Sequence, residues 1–347
     1  MTNIVVIGGG TGSFNMLSAL KDIPGTQISS IVTMSDDGGS TGKLRDEYGA
    51  LPPGDLRRAI VALSNKEKTQ ILRDIFNYRF EGGAFYGHNL GNIIMMALHD
   101  ITHDFGKSIN LLEELFDVKG KVYPTTFERV RILAQLENLD YVIGETNIDI
   151  PKHDPQLQIK DLFVLKDDYI NAIKNILNEQ QIPYNMKFNI LEKFIQDKPK
   201  ENPHIPEVIN NADYIIIAPG DLYTSILPNI LIGNIANLLK ESKAQKMLFL
   251  NLFTKYGETN NYHLSDFLNV FKYFLGEDIF DYILMQDWEK HPVKEHILKH
   301  YEKENKSIIK EDITDSRVMK YDFIKQEDMI RHDSNKIKNV IEHIVCS

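Results

Sequence analysis

Residues 31–63 read IVTMSDDGGSTGKLRDEYGALPPGDLRRAIVAL, and this stretch decides the fold. Its apolar, β-branched start ends abruptly in Ser35-Asp36-Asp37-Gly38-Gly39-Ser40-Thr41-Gly42, so a buried strand hands over to a loop of glycines, carboxylates and hydroxyls. Lys43 and Arg45 follow, and then Pro52-Pro53-Gly54-Asp55. Two prolines stiffen the approach, Gly54 permits a tight bend, and Asp55 is placed to cap a helix over 56–63. Any one of these residues fits a plain surface turn before a capped helix. Together, acids, hydroxyls, glycines and guanidinium groups at the C-terminal end of a strand suit a phosphate or a sugar. Ser40 and Arg45 join the candidate ligand residues on that ground.

Upstream, residues 3–7 form an apolar strand, Gly8-Gly9-Gly10-Thr11-Gly12 follows, and 13–20 have helical spacing. Glycines here let the backbone approach a ligand and aim helix N-terminal amides at an anion. The run lacks the third glycine of the dinucleotide fingerprint, and no Gly-Lys-Ser/Thr follows, so P-loop ATP chemistry is disfavoured. A strand over 28–34 sets Asp36 and Asp37 where dinucleotide folds keep their ribose-binding acid. Alternatively, Asp37 and Asp55 hold a divalent cation, magnesium in particular. Tyr86-Gly87-His88-Asn89-Leu90-Gly91-Asn92 introduces an apolar helix. His88 is either a satisfied supporting or capping residue, or a direct contact to substrate or a general acid.

From about 100 to 204 the pattern changes to helices, a hairpin over 129–143 and a polar tract, which reads as an insertion or lid. No internal repeat is evident. The strand and helix alternation then resumes with an apolar strand over 214–218, the loop Pro219-Gly220-Asp221-Leu222-Tyr223-Thr224-Ser225, a strand over 246–252, and helices at 264–275 and 335–344. The expected architecture is α/β: one Rossmann-like, doubly wound domain over 1–347, with a mostly parallel sheet and a helical and hairpin insertion.

A chain of 347 residues with 42% hydrophobic content buries a large core. Net charge −10 and pI near 5.6 give no broad cationic field, so nucleic acid is not an expected partner. The single cysteine, Cys346, excludes an internal disulfide or a cysteine zinc cluster. No run reaches spanning length and no leader is evident, so the expectation is a cytoplasmic protein without membrane insertion. A homo-oligomer is left open.

The set GGGTG, SDDGGSTGKLR, PPGDLRRAIVAL, YGHNLGNI, YPTT, GDLYTSILPNIL, GET and IRHDSNKI resembles the YvcK-type gluconeogenesis factor family, relatives of the 2-phospho-L-lactate transferase of deazaflavin cofactor synthesis. The resemblance covers nearly the whole chain. It implies a Rossmann-like sheet whose crevice binds UDP-sugars such as UDP-N-acetylglucosamine or UDP-glucose, with a role in carbon metabolism and cell shape. It carries over Gly9, Gly10, Thr11, Gly12, Asp36, Asp37, Gly38, Gly39, Asp55, His88, Asn92, Thr224 and Ser225, with Tyr262 and Arg331 resembling the family's tyrosine and arginine towards the UDP-sugar. Two positions depart from the family pattern. Asp221 stands where a serine is usual, and a carboxylate there repels phosphate unless a cation intervenes. Leu252-Phe253-Thr254-Lys255-Tyr256 replaces the usual Met-Thr-Gln-Pro before Gly-Glu-Thr.

Three functions compete. The first is a non-catalytic UDP-sugar binder. The second is a magnesium-dependent transferase moving a phosphate-linked group, with Asp37 and Asp55 on the metal. An NAD-binding oxidoreductase rests on the first glycine loop alone.

Overall fold

The computed structural model describes residues 1–49, 51–179, 183–326 and 330–346. Its strands in chain order are β1 (Thr2–Gly8), β2 (Thr26–Val32), β3 (Lys121–Pro124), β4 (Val130–Leu136), β5 (Tyr141–Ile143), β6 (Ile159–Lys166), β7 (Tyr214–Ile217), β8 (Gln245–Phe249), β9 (Tyr282–Gln286), β10 (Val318–Tyr321), β11 (Ile324–Gln326) and β12 (Ile330–His332). Seven of them make one sheet in the order β10-β9-β8-β7-β1-β2-β3, and every pairing in it is parallel. Parallel strands need crossovers, and right-handed crossovers running outward both ways from the β1–β7 pair put helices on opposite faces. That explains the composition of the central strands. Ile4, Val6, Ile7, Ile215, Ile216 and Ile217 are all buried because both faces of the sheet are covered. Helix Gly10–Leu20 packs beside Gly54–Leu63 and the last helix, Ser334–Cys346.

The insertion is narrower than the expected 100–204. Helices Leu90–Thr102 and Phe105–Leu115 feed Met95, Ile109 and Leu112 into the main core, and β3 is an edge strand of the main sheet. Its proline ends the strand at an edge, where a lost ladder donor is tolerated. The inserted part is an antiparallel sheet, β5-β4-β6. Period-2 alternation gives it two faces. Val130, Ile132, Ala134, Leu162 and Val164 join the main core, while Leu133 and Leu165 meet Ile170, Ile173 and Leu191 in a minor core under helices Ile170–Asn178 and Tyr184–Gln196. Among the described residues no single helix is long and apolar enough to cross a membrane.

One glycine fixes how close the layers come. A Cβ on Gly12 would lie 1.9 Å from the Pro219 carbonyl oxygen, so the first helix and the loop after β7 touch backbone to backbone. Gly12 thus does the close-packing work for which the dinucleotide fingerprint uses its third glycine. Because the obstacle is backbone rather than a flexible side chain, Gly12→Ala is expected to cost about 2 to 3 kcal/mol, read as a lowered urea midpoint.

Candidate functional site

β1 and β7 are neighbours whose outgoing connections run to opposite sides, which opens a crevice at their C-terminal ends. It has a volume of about 260 Å³ and is lined by Gly9, Gly10, Thr11, Gly12 and Asn15, by Pro219, Gly220, Asp221 and Ser225, by Asn251, Leu252 and Phe253, and by Ile330, Arg331 and His332. A larger groove of about 780 Å³ runs along the inserted sheet past Asp37, Arg131 and Tyr141. It shares no lining residue with the crevice and meets none of the first loop's glycines, so volume alone does not choose the site. Of the expected ligand residues, the crevice gathers Gly9 to Gly12, Ser225 and the exposed Arg331.

The first loop ends earlier than the sequence suggests. Helix Gly10–Leu20 starts at Gly10, and Gly9, its N-cap, offers no side chain, so the first-turn amides need outside partners. One partner is internal. The Asp55 carboxylate takes the Gly10 amide, and a Cβ on Gly9 would lie 2.5 Å from Asp55 Oδ2. Asp55 therefore does not cap its own helix, Gly54–Leu63, whose N-cap is Pro53; it lies one residue inside and reaches across to the first loop. Burial pushes its carboxyl up, with Arg58, 3.4 Å away, pulling the other way.

Asp36 and Asp37 part company. Asp36 faces Asp55: Asp36 Oδ1 accepts from the Gly38 amide at 2.9 Å, and burial first, then the Asp55 charge, raises its carboxyl to about 6. Asp37 turns to the insertion, where Oδ1 accepts from the Thr146 amide at 2.9 Å and Oδ2 pairs with Arg131 at 3.0 Å. The acid beside Asp55 is thus Asp36, not Asp37, and the expected Asp37–Asp55 cation pair does not fit this arrangement.

The other expected residues do not line the crevice. Gly38 caps helix Gly39–Tyr48, so Gly39 and Ser40 belong to a first turn rather than to a loop. Ser40 Oγ accepts from the Asn89 amide at 3.1 Å and lies 3.4 Å from His88 Nδ1. Asn92 is buried, accepting from Arg57 Nε at 3.0 Å. Arg45 is 0% exposed and donates to the Val130 carbonyl at 2.5 Å and to Asp167 at 3.0 Å, so it ties the helix to the inserted sheet and meets no ligand. Thr224 donates to Glu258 at 3.0 Å, and the buried Tyr262 phenol sits 3.1 Å from that of Tyr223.

Sequence reading missed a second acidic set. Gly-Glu-Thr-Asn occurs twice, at 144–147 and 257–260, and this short repeat was the available signal. Burial, then Asp36, Asp149, Asp37 and Glu258, raise Glu145 to about 9. Burial and Asp221 raise Glu258 to about 8, while the Tyr223 amide and Thr224 hydroxyl hold it. Oxygens of Asp149, Asp221 and Glu258 lie within 4.8 Å of one another, the spacing of a cation site, but Lys255 Nζ already stands 2.5 Å from Asp149 and 3.5 Å from Asp221. The two departures from the family pattern, Asp221 and Lys255, therefore contact each other. Asn251 fixes the loop by accepting from the Gly220 amide and donating to its carbonyl, both at 2.7 Å.

The raised carboxyls fix a sign. Glu145 binds its proton more tightly folded (about 9) than at its ordinary value of 4.5, so its contribution to stability is complete below about pH 4.5 and is lost as pH rises through 9. Glu145→Gln should flatten the fall of the melting temperature between pH 6 and 9. An unchanged slope would show that Glu145 titrates normally.

The family model described as 2-phospho-L-lactate transferase CofD matches residues 4–329. The gluconeogenesis factor of Halalkalibacterium halodurans is 34% identical over 349 residues, 98% of this chain and 95% of that one. The gluconeogenesis factor of Bacillus subtilis is 33% identical over 346 residues, 97% and 96% of the two chains. A crystal structure of a UPF0052 family protein from Bacillus halodurans superposes with a TM-score of 0.81 at 32% identity, covering 98% of this chain and 99% of that one. The chain belongs to the CofD-like family of gluconeogenesis factors.

Proposed function

We propose that the switch-point crevice binds a UDP-sugar, UDP-N-acetylglucosamine or UDP-glucose, and that the protein works as a non-catalytic cytoplasmic regulator of carbon metabolism and envelope synthesis. The observation that carries the reading is the crevice itself. The N-terminus of helix Gly10–Leu20, Ser225 and Arg331 share one cleft at the strand ends. Helix amides and a guanidinium fork are complementary to a diphosphate, and Ser225 and Asn251 add polar groups for a sugar or base.

Thermal shift is the direct test. UDP-N-acetylglucosamine at about 100-fold over its Kd should stabilise the protein by about 2.7 kcal/mol. Arg331→Ala should weaken binding by roughly 1.5 to 3 kcal/mol with an unchanged circular dichroism spectrum. Stabilisation by NAD and none by UDP-sugars would replace this reading with the dinucleotide one.

One observation favours the transferase reading: two acids face each other next to the first loop, the buried Asp55 directly against Gly9 and Asp36 beside Asp55. That reading needs a divalent cation, whereas the binder does not. We expect UDP-sugar affinity in calorimetry to be the same with and without magnesium. Strong magnesium dependence abolished by Asp55→Asn would favour the transferase.

A further inference from the structure

We infer that Lys255 makes the crevice compatible with an anionic ligand by covering Asp221 and lending an N–H donor to the ligand's diphosphate; this rests on the UDP-sugar reading above. Asp221 lines the crevice on the same loop as Gly220 and Ser225. A bare carboxylate in that wall repels any phosphate that reaches the loop, and partial desolvation strengthens the repulsion. Among the described residues, Lys255 is the one cation within ion-pair distance of Asp221, at 3.5 Å.

The ammonium is held from the far side. Asp149, at the end of helix Glu145–Asp149, contacts it at 2.5 Å. Asp149 thereby fixes the lysine in the gap between the insertion and the loop after β7. Three N–H donors leave an ammonium, and two carboxylates face this one. The Lys255 side chain keeps 22% of its surface exposed, which leaves the third donor a way to a ligand oxygen. Among the three clustered acids, Lys255 supplies the positive charge that pairs with Asp149 and Asp221. Loss of Lys255 would leave Asp221 uncovered in the wall that the ligand meets.

The test is a double-mutant cycle by calorimetry, with UDP-N-acetylglucosamine as the probe. Lys255→Met should bind roughly 10- to 100-fold more weakly than wild type, the size of a lost charge-assisted contact. Asp221→Asn should bind more tightly than wild type. In the double variant, Asp221→Asn should recover most of the loss, because the repulsion it removes is the one that Lys255 covered. Thermal melts of all four proteins report folding separately. Unchanged affinity in Lys255→Met overturns the inference. So does a loss that Asp221→Asn fails to relieve, which would assign Lys255 to the architecture around Asp149. If wild type binds the probe and Arg331→Ala weakens it while Lys255→Met does not, this inference falls and the UDP-sugar reading stands. If wild type binds no UDP-sugar, both fall.

Discussion

The Asp55 carboxylate lies beneath the first glycine loop, against Gly9 and the Gly10 amide, and the crevice is arranged around that buried charge. A buried carboxylate is costly unless hydrogen-bonded or paired, and here the amide and Arg58 answer it. Gly9 is required because a side chain would occupy the carboxylate's place. Using the Gly10 amide internally has a consequence for recognition. The outward-facing positive character of the cleft must come from the remaining first-turn amides and from side-chain cations.

The inserted sheet is fastened to this arrangement twice. Its inner face contributes Val130, Ile132 and Ala134 to the main core, each such burial worth roughly 1.5 to 3 kcal/mol for the larger side chains. Arg131 then spans Asp37 at 3.0 Å, Asp46 at 2.6 Å and Asp167 at 2.6 Å, while Arg45 reaches Asp167 from within. A guanidinium with five donors suits such a junction better than an ammonium. Asp37 therefore serves the joint between insertion and sheet, and its neighbour Asp36 faces Asp55 and accepts from the Gly38 amide.

An acidic surround for an anionic ligand looks contradictory until the protons are placed. Glu145 and Glu258, at about 9 and 8, are largely protonated at neutral pH, so burial removes most of the negative charge that the sequence would assign to them. Asp221 keeps Lys255 beside it. The local field is thus set by desolvation, by Lys255 and Arg331 and by the helix amides rather than by the chain's net charge of −10.

The sequence by itself determined the sheet and the place of the crevice, because β-branched runs ending in glycine loops report local backbone chemistry that no distant contact is needed to decode. It also named Gly9 to Gly12, Ser225 and Arg331, which the crevice brings together. Tertiary structure alone decided which of two adjacent acids faces Asp55: Asp36 and Asp37 are equivalent in sequence, and Arg131 and the Thr146 amide, 94 and 109 residues away, draw Asp37 aside. It likewise buried Arg45 and set Glu145, Glu258 and Lys255 in one place, since burial and through-space charge depend on segments that meet only when the chain has folded.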